Sequence, residues 1–487
     1  MQLLKKIVIF SCAATLFIGC FSDIDDDLGS NTNIKSFIWN GMNLYYLYKD
    51  NVPDLANDRF ASNVDFQEYL NMFSSPESLF YNLVYDQENV DEFSIIVNDY
   101  IALEQFLSGT SVSDGMDFDI RLVPGSETDV FGFVRYVMPN SSAEEQGLAR
   151  GDIFYSINGA QLNINNYLDI YRSTTYTIGL GSYDNNGTPE TEDDQIIPGT
   201  ESITLTKASY TENPILKSEV VNVGGNNVGY LMYNFFNRNF DEELNNVFGT
   251  FLSSNITDLV LDLRYNPGGS VNSAVQLASM ITGQFNTEVF STNEWNSEWQ
   301  AFYEENDPEA LIYRFVNELS NGTPINSLSL NKVYILTTGD SASASELVIN
   351  SLSPYIEVVH IGTTTRGKYQ ASITLYDSPN YRRENANPNH TYAMQPLIFK
   401  SVNSVGISDY DDGLDPTFPI SEDIGNLGVL GDINEPLFAE AIAQIEGTGR
   451  LSAPFQIQEL KSLGNRHKFS PIKDRMFVDN DFPIRNE

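Results

Sequence analysis

The chain has 487 residues, of which 41% are hydrophobic and 12% aromatic, a composition typical of a globular protein with room for two to four domains. Its formal net charge of −39 excludes binding to nucleic acid or to an anionic membrane surface through clustered Lys and Arg. We therefore expect no nucleic-acid partner, and the acidity indicates a well-solvated surface.

The first 19 residues are predicted to be a signal peptide. Lys5 and Lys6 precede an apolar run, Ile7 to Gly19, that is too short to span a bilayer comfortably. The run ends in Phe17-Ile18-Gly19-Cys20, which resembles the lipobox of bacterial lipoproteins, with Phe17 where Leu is usual. The resemblance implies lipidation at Cys20 and a cell-envelope protein anchored to the outer membrane, either periplasmic or surface-exposed. The alternative is an ordinary cleaved signal in which Cys20 is incidental.

The chain contains only two cysteines, Cys12 and Cys20. Cys12 lies in the segment that would be removed, so the mature chain would have no disulfide and no cysteine for catalysis or metal binding. We expect its cores alone to hold the fold, and we expect neither a metal nor an organic cofactor.

Residues 20–33 are polar and rich in Asp and Asn, which predicts a tether. Residues 34–108 contain aromatic-rich helical patterns such as Leu44 to Tyr48, broken into short pieces by Pro53 and Pro76. These patterns predict a small helical N-terminal domain.

Residues 109–210 change to short strand-like runs bounded by Gly and Asn. Gly132 to Pro139 reads as a strand, Ser142 to Leu148 as a short helix ending in Gly-Leu, and Arg150 to Gly159 as a Gly-Asp turn and a strand closed by Asn-Gly. This order closely resembles a PDZ domain, which takes an extended peptide as an added strand. The alternative is a PDZ fold retained as a spacer.

The PDZ resemblance implies a carboxylate-binding loop, which falls on Gly115, Met116, Asp117 and Phe118. Asp117 stands where the family usually has Gly. A negative side chain there would oppose the carboxylate of a peptide terminus.

Residues 215–445 alternate predicted strands (228–233, 259–263) and helices (241–252, 271–281), the pattern of an α/β layer. The strand that ends at Leu263 leads into a Pro267-Gly268-Gly269 turn. Glycines let backbone N–H groups approach a ligand closely, which is one way to build half of an oxyanion hole.

An apolar run, Val333 to Leu336, predicts a strand, and a helical pattern follows the run Asp-Ser-Ala-Ser-Ala-Ser-Glu. Ser343 therefore lies where a strand becomes the start of a helix, where unpaired N–H groups and the helix dipole suit an oxyanion. Lys368 follows 25 residues later, beyond a second predicted strand, 356–361. We interpret the pair as a serine nucleophile with a lysine base.

Two alternatives bear on this interpretation. Ser343 and Glu346 also match a helix-capping box. A histidine is the usual base for a serine, but none of the three histidines comes with a recognisable partner motif: His360, His390 and His467. A lysine can replace histidine if burial lowers its pKa.

The PDZ-like module, the motif Asp-Leu-Arg-x-Asn-Pro-Gly-Gly, the Ser-Ala-Ser-Ala-Ser-Glu run and the later Gly-Lys together resemble the C-terminal processing (tail-specific) peptidases of serine peptidase family S41, over about residues 110–445. The resemblance implies a multidomain α/β protein: a crotonase- or ClpP-like α/β peptidase core with a preceding or inserted PDZ domain. It implies Ser343 as nucleophile, Lys368 as general base, and oxyanion-hole N–H groups from three residues: Gly268, Gly269 and Ala344.

Many members of the family have a Gln four residues after the lysine, which helps to orient it. Here that position is Ser372, and Gln370 lies two residues after the lysine instead. The residue that orients Lys368 is therefore Ser372, Gln370 or Glu346.

We expect a membrane-tethered serine endopeptidase acting on protein or peptide substrates, with the membrane contacted only through the lipid anchor. Its basic tail, residues 446–487, is expected to pack against the acidic body. One alternative is a non-catalytic peptide-binding lipoprotein with the same fold. Another is a carbohydrate-binding accessory lipoprotein, which rests on the tether and the aromatic insert at 284–330.

Overall fold

The first helix begins earlier than the sequence predicts. A computed structural model describes residues 24–188, 190–448, 460–470 and 473–479, with side chains from residue 33 onward. Helix α1 (Ile24–Tyr45) includes residues 24–33, where we expected a tether. The predicted signal peptide and Cys20 lie outside the described residues.

The α-helices of the described residues are α1 (Ile24–Tyr45), α2 (Asn63–Asn71), α3 (Pro76–Leu83), α4 (Tyr100–Leu107), α5 (Ser142–Glu145), α6 (Asp169–Arg172), α7 (Asp241–Ser253), α8 (Val271–Thr282), α9 (Ser297–Asn306), α10 (Ala344–Leu352) and α11 (Pro436–Glu446). The strands are β1 (Ile95–Val97), β2 (Thr110–Ser113), β3 (Met116–Leu122), β4 (Val130–Val137), β5 (Ile153–Ile157), β6 (Ala160–Gln161), β7 (Thr175–Asp184), β8 (Gln195–Thr206), β9 (Ala208–Thr211), β10 (Ile215–Val223), β11 (Asn226–Tyr233), β12 (Asp258–Asp262), β13 (Gly268–Ser270), β14 (Val289–Trp295), β15 (Ile312–Arg314), β16 (Lys332–Thr337), β17 (Glu357–Gly362), β18 (Gln370–Ser372), β19 (Leu375–Tyr376), β20 (Ala393–Gln395), β21 (Leu397–Asn403), β22 (Phe418–Pro419), β23 (Ser462–Asn465) and β24 (Arg475–Phe477).

The central sheet has the strand order β10-β11-β12-β16-β17-β22, antiparallel between β10 and β11 and parallel beyond. Leu231 and Leu261 face a core shared with α7, α8 and α10, whereas Tyr230 and Val260 face the core of α11. Burial on both faces explains why these strands are near-continuous apolar runs. The strands and helices that we predicted here are confirmed within two residues.

The carboxyl ends of β12 and β16, which are neighbours in the central sheet, lead into the two turns that carry the predicted site. In parallel α/β sheets, ligands bind at this edge. A second sheet is ordered β13-β24-β18-β21-β14-β15. It contains β13, which begins at Gly268, and β18, which begins two residues after Lys368.

Residues 109–210 contribute most of a separate sheet, ordered β23-β3-β4-β5-β7-β8, with β6 paired to β5. Its core has its own apolar cluster, including Phe118, Val134 and Phe154. The cluster is distinct from those on the two faces of the central sheet.

The N-terminal helices do not enclose a core of their own. Residues 34–108 are largely helical, as predicted, but most of their buried apolar side chains belong to the same cluster as α8 and α10. Tyr100 instead packs with Tyr376 and Ala393. The ring of Tyr45 stacks on that of Trp299, with centroids 5.5 Å apart. No helix in the described part of the chain is long and apolar enough to cross a membrane.

The segment expected to be a tail supplies two strands, one to each of two sheets. Strand β23 pairs with β3, and β24 pairs with both β13 and β18. These strands have four and three residues and no strong pattern, which is why the sequence predicted only packing against the body.

Candidate active site

Ser343 lies in a buried, strained turn between β16 and α10. Its backbone has φ +65° and ψ −110°, a conformation that non-glycine residues rarely adopt. The turn is tied to the neighbouring one, because Ala342 N–H donates to the carbonyl of Asn266 at 3.0 Å and Ser341 Oγ donates to that of Leu263 at 2.8 Å. These bonds fix the hydroxyl of Ser343 at the edge of the sheet.

Lys368 reaches the hydroxyl of Ser343 from the segment after β17. Its Nζ lies 3.4 Å from Ser343 Oγ, and its side chain is 1% exposed. Burial, followed by the charge of Arg475, lowers the pKa of Lys368 to about 7. A neutral amine is therefore available near neutral pH, as a general base requires.

The carboxylate of Glu346 joins the two halves of the site. It accepts the N–H of Ser343 at 2.6 Å, the N–H groups of Gly367 at 2.7 Å and Lys368 at 2.9 Å, and the hydroxyl of Thr365 at 2.6 Å. Burial raises its pKa to about 7. All four contacts are to backbone or to a loop hydroxyl, so Glu346 positions the lysine loop against the serine turn.

The amine of Lys368 is oriented by a backbone atom. Nζ donates to the carbonyl oxygen of Gln370 at 2.6 Å. The side-chain amide of Gln370 instead donates to Tyr48 Oη at 3.3 Å, and Ser372 Oγ donates to the carbonyl of Met476 at 3.2 Å. Of the three predicted candidates, Gln370 contacts the amine, through an atom that any residue would supply.

The predicted oxyanion residues surround Ser343. Gly268 and Gly269 have φ of +113° and +134°, and a Cβ on Gly269 would lie 2.2 Å from the carbonyl oxygen of Phe236. A Cβ on Gly268 would lie 2.7 Å from the Cβ of Ser343. Ala344 is the first residue of α10.

The N–H of Gly268 already has an acceptor, since it donates to Asn266 Oδ1 at 2.9 Å. An oxyanion would have to compete with Asn266 for this N–H.

The three histidines, all in the described residues, bond elsewhere. His360 Nε2 lies 2.5 Å from Thr337 Oγ1, and burial lowers its pKa to about 4. His390 pairs with Asp377 at 2.9 Å, and His467 accepts from Arg466 at 3.2 Å. In the described residues no group of three or more His, Cys, Asp or Glu side chains could hold a metal ion.

A buried charge network lies just before the Gly-Gly turn in the chain, and we predicted no role for it from the sequence. Arg264 is fully buried and pairs with Asp262 at 2.8 Å and with Glu435 at 2.7 Å. Glu422 joins it at 3.0 Å. Arg264 and Asp262 both belong to the Asp-Leu-Arg-x-Asn-Pro-Gly-Gly motif, so part of the signal was present, but Glu422 and Glu435 lie 158 and 171 residues away in sequence.

The predicted peptide-binding loop begins β3 and lies close to the serine turn. Asp117 is fully buried and pairs with Arg135 Nε at 2.5 Å. Arg135 also pairs with Asp340, three residues before Ser343, and its guanidinium covers the ring of Tyr265 at 4.3 Å. Asp117 thus contacts a buried arginine and is not open to a peptide carboxylate.

Comparison with known proteins finds two family models in this chain. The model of peptidase family S41 matches residues 227–380, which include Ser343, Lys368 and the Gly-Gly turn. The model of the peptidase S41 N-terminal domain matches residues 33–95. The matches support peptidase family S41. They indicate a hydrolase of the serine-peptidase type with the S41 peptidase fold.

Individual proteins are also similar to parts of this chain. The chain is similar to a candidate CtpA-like serine protease of Staphylococcus epidermidis, 27% identical over 34% of this chain and 32% of that protein. It is also similar to the chloroplastic C-terminal processing peptidase of Tetradesmus obliquus, 23% identical over 66% of this chain and 64% of that one. The chain thus matches about a third of the length of the first of these relatives.

A solved structure covers more of the S41 fold. The crystal structure of a candidate S41 protease from Bacteroides fragilis superposes with a TM-score of 0.66 at 26% identity. The match covers 85% of this chain and 97% of that one.

Proposed function

We propose that this protein is a serine endopeptidase in which Ser343 attacks the peptide carbonyl and Lys368 takes its proton. The observation that carries the proposal is the buried amine of Lys368, 3.4 Å from the hydroxyl of Ser343. A serine that only caps a helix needs no buried lysine beside it, and burying an amine is costly. The lowered pKa of Lys368 suits it to accept the proton.

In the proposed reaction, Ser343 Oγ bonds to the substrate carbonyl carbon while Lys368 accepts the hydroxyl proton. Lys368 returns that proton to the leaving amine as the peptide bond breaks, which leaves an acyl-enzyme. Water, deprotonated by the same amine, then bonds to the acyl carbon, and Lys368 returns that proton to Ser343 Oγ as the ester bond breaks. The N–H groups of Ala344 and of the turn at Gly268 and Gly269 would stabilise the negative carbonyl oxygen.

We further propose that residues 109–210 act as a PDZ domain, beside a crotonase- or ClpP-like core, and hold substrate peptide in extended form. Strand β3 supports this assignment, because its outer edge accepts another strand. The alternative is a peptide-binding lipoprotein that does not cleave. The contact between Ser343 and Lys368 argues against it.

The proposed function is tested by the pH dependence of peptide cleavage and of Ser343 labelling. A fluorogenic unstructured peptide should be cleaved faster as pH rises from 5 to 8, with a midpoint near the Lys368 pKa of about 7, since only the neutral amine accepts a proton. A fluorophosphonate probe should label the protein with the same profile. Wild type that is neither labelled nor active at any of these pH values would favour the non-cleaving alternative.

Controls for the labelling come from the same segment. Ser343→Ala should lose the label, whereas Ser353→Ala, an exposed serine just after α10, should retain it. Label retained in Ser343→Ala would assign the nucleophile to another residue.

We also propose that Cys20 is lipidated and holds the protein to the outer membrane. Cys20→Ser should move the protein from the membrane fraction to the soluble fraction, because no second lipidation site is predicted. Fractionation followed by immunoblotting measures this, with Cys12→Ser as the control that should stay on the membrane. Membrane retention of Cys20→Ser would contradict the anchor.

A further inference from the structure

Residues 460–470 and 473–479, here called the return segment, run along both elements that a substrate peptide would use. Its first part is β23, which lies antiparallel on the outer edge of β3, opposite β4. Leu122 N–H donates to the carbonyl of Lys461 at 3.1 Å, and Arg466 N–H donates to that of Phe118 at 3.2 Å. Without β23, β3 would expose an unpaired edge, which is a template for an added strand.

The second part of the return segment is β24, which fills a slot next to Ser343. It lies parallel between β13 and β18, with Arg475 opposite Gly268 and Phe477 opposite Ser372. Strand β13 carries the predicted oxyanion turn, and β18 begins two residues after Lys368. A Cβ on Gly268 would lie 2.5 Å from the carbonyl oxygen of Arg475 and 2.7 Å from the Cβ of Ser343, so this carbonyl borders the nucleophile.

We propose that the return segment is a built-in peptide ligand that occupies both the edge of β3 and the slot beside Ser343, and that a substrate reaches Ser343 only after the segment leaves. The expected effect on cleavage rests on the proposed peptidase function. The binding of the segment to the two places does not. Main-chain pairing holds the segment extended at both places, as it would hold a bound substrate peptide.

The contacts also define the chemistry of the ligand that the β3 edge accepts. Arg466, at the end of β23, pairs with Asp117 at 2.8 Å and with Glu212 at 2.6 Å. The chain then continues past the loop expected to bind a terminal carboxylate. Asp117 therefore recognises a basic side chain within a continuing chain, so the ligand class is an extended, basic, internal peptide segment.

Charge favours the same occupant. The return segment carries several cationic side chains, whereas the whole chain has a net charge of −39. The basic residues in the segment are Lys461, Arg466, Lys468, Lys473 and Arg475. A competing substrate would have to replace the pairs that Arg466 makes with fully buried Asp117 and partly buried Glu212. Loss of the partner of a buried charge weakens binding strongly.

The test uses the full-length protein and a fluorescein-labelled synthetic peptide with the sequence of residues 460–479. Both proteins compared carry Ser343→Ala, which prevents cleavage. The protein that also carries Arg466→Ala should bind this peptide roughly tenfold more tightly than the protein with Arg466 intact, as measured by fluorescence anisotropy. With Ser343 intact, Arg466→Ala should cleave an unstructured peptide several-fold faster than wild type. Arg314→Ala, which removes an exposed pair with Glu309, is the matched control and should change neither value.

A second measurement leaves the return segment and its partners unaltered. Adding the unlabelled peptide to Ser343→Ala protein should speed amide hydrogen exchange in residues 461–466 and 475–478, because the added strand displaces the resident one. Unchanged exchange, together with no gain in peptide binding by Arg466→Ala, would overturn the proposal and make both strands fixed parts of the fold.

The two proposals fail differently. Tighter peptide binding by Arg466→Ala without cleavage by any variant would support the built-in ligand and overturn the peptidase function. Cleavage by wild type that Arg466→Ala does not accelerate, with no added binding, would support the peptidase and overturn the built-in ligand.

Discussion

Replacement of Lys368 by Met should lower kcat for an unstructured peptide by roughly 10²–10⁴-fold, the usual contribution of a general base. Met keeps the length and apolar stem of the side chain but cannot accept the proton of Ser343. Ser343→Ala should lose at least as much, since it removes the nucleophile. Steady-state kinetics at pH 8, with circular dichroism to check folding, measures both.

Two further variants make this prediction specific. Lys368→Arg keeps a permanent positive charge, so it should be inactive and should lose the rise of activity with pH. Lys332→Met removes an exposed lysine paired with Glu357 and should behave as wild type. Substantial turnover by Lys368→Met, with the pH profile unchanged, would assign the base to another group.

Replacement of Arg264 by Met should destabilise the fold by about 3–5 kcal/mol, the cost of breaking a buried ion pair from one side. Met leaves the carboxylates of Asp262 and Glu435 without their buried cation, and both are almost completely buried. The turn that carries Gly268 and Gly269 should lose its support as well. The midpoint of urea unfolding measures the change in stability, and peptide turnover measures the change in the turn.

The control for Arg264 is Arg314→Met, which breaks an exposed pair and should cost no more than about 1 kcal/mol. A double variant, Arg264→Met with Glu435→Gln, should recover part of the loss, because one stranded charge is removed with its partner. Equal stability of Arg264→Met and wild type would mean that the network does not stabilise the fold, and equal peptide turnover would mean that it does not support the turn.

The serine turn and the lysine could be predicted because local patterns encode them. An apolar strand, small residues and a helical face surround Ser343, and a Gly-Lys pair follows the next strand. The role of Glu346 could be predicted only in part, because three of its four donors are backbone N–H groups, which any residue supplies. The same reason hides the carbonyl of Gln370 that holds the amine of Lys368.

Longer-range features escaped prediction for a different reason. Strands β23 and β24 are three or four residues long and pair with segments more than 100 residues away in sequence, so no local period marks them. The N-terminal helices share the main core because their aromatic side chains pack on α9, which composition alone does not indicate. Sequence patterns of this kind indicate which face of a helix is buried, but they do not indicate which element covers it.

The buried arginine between β3 and the serine turn has a thermodynamic consequence. Arg135 pairs with Asp117 on one side and with Asp340 on the other, so one guanidinium touches both the peptide edge and the turn of the nucleophile. If a peptide on β3 changes the affinity of the Ser343 slot by some factor, then linkage requires that a ligand in the slot changes the affinity of β3 by the same factor. Cooperativity between the two places is therefore reciprocal, and an inhibitor bound at Ser343 can be used to measure it from the β3 side.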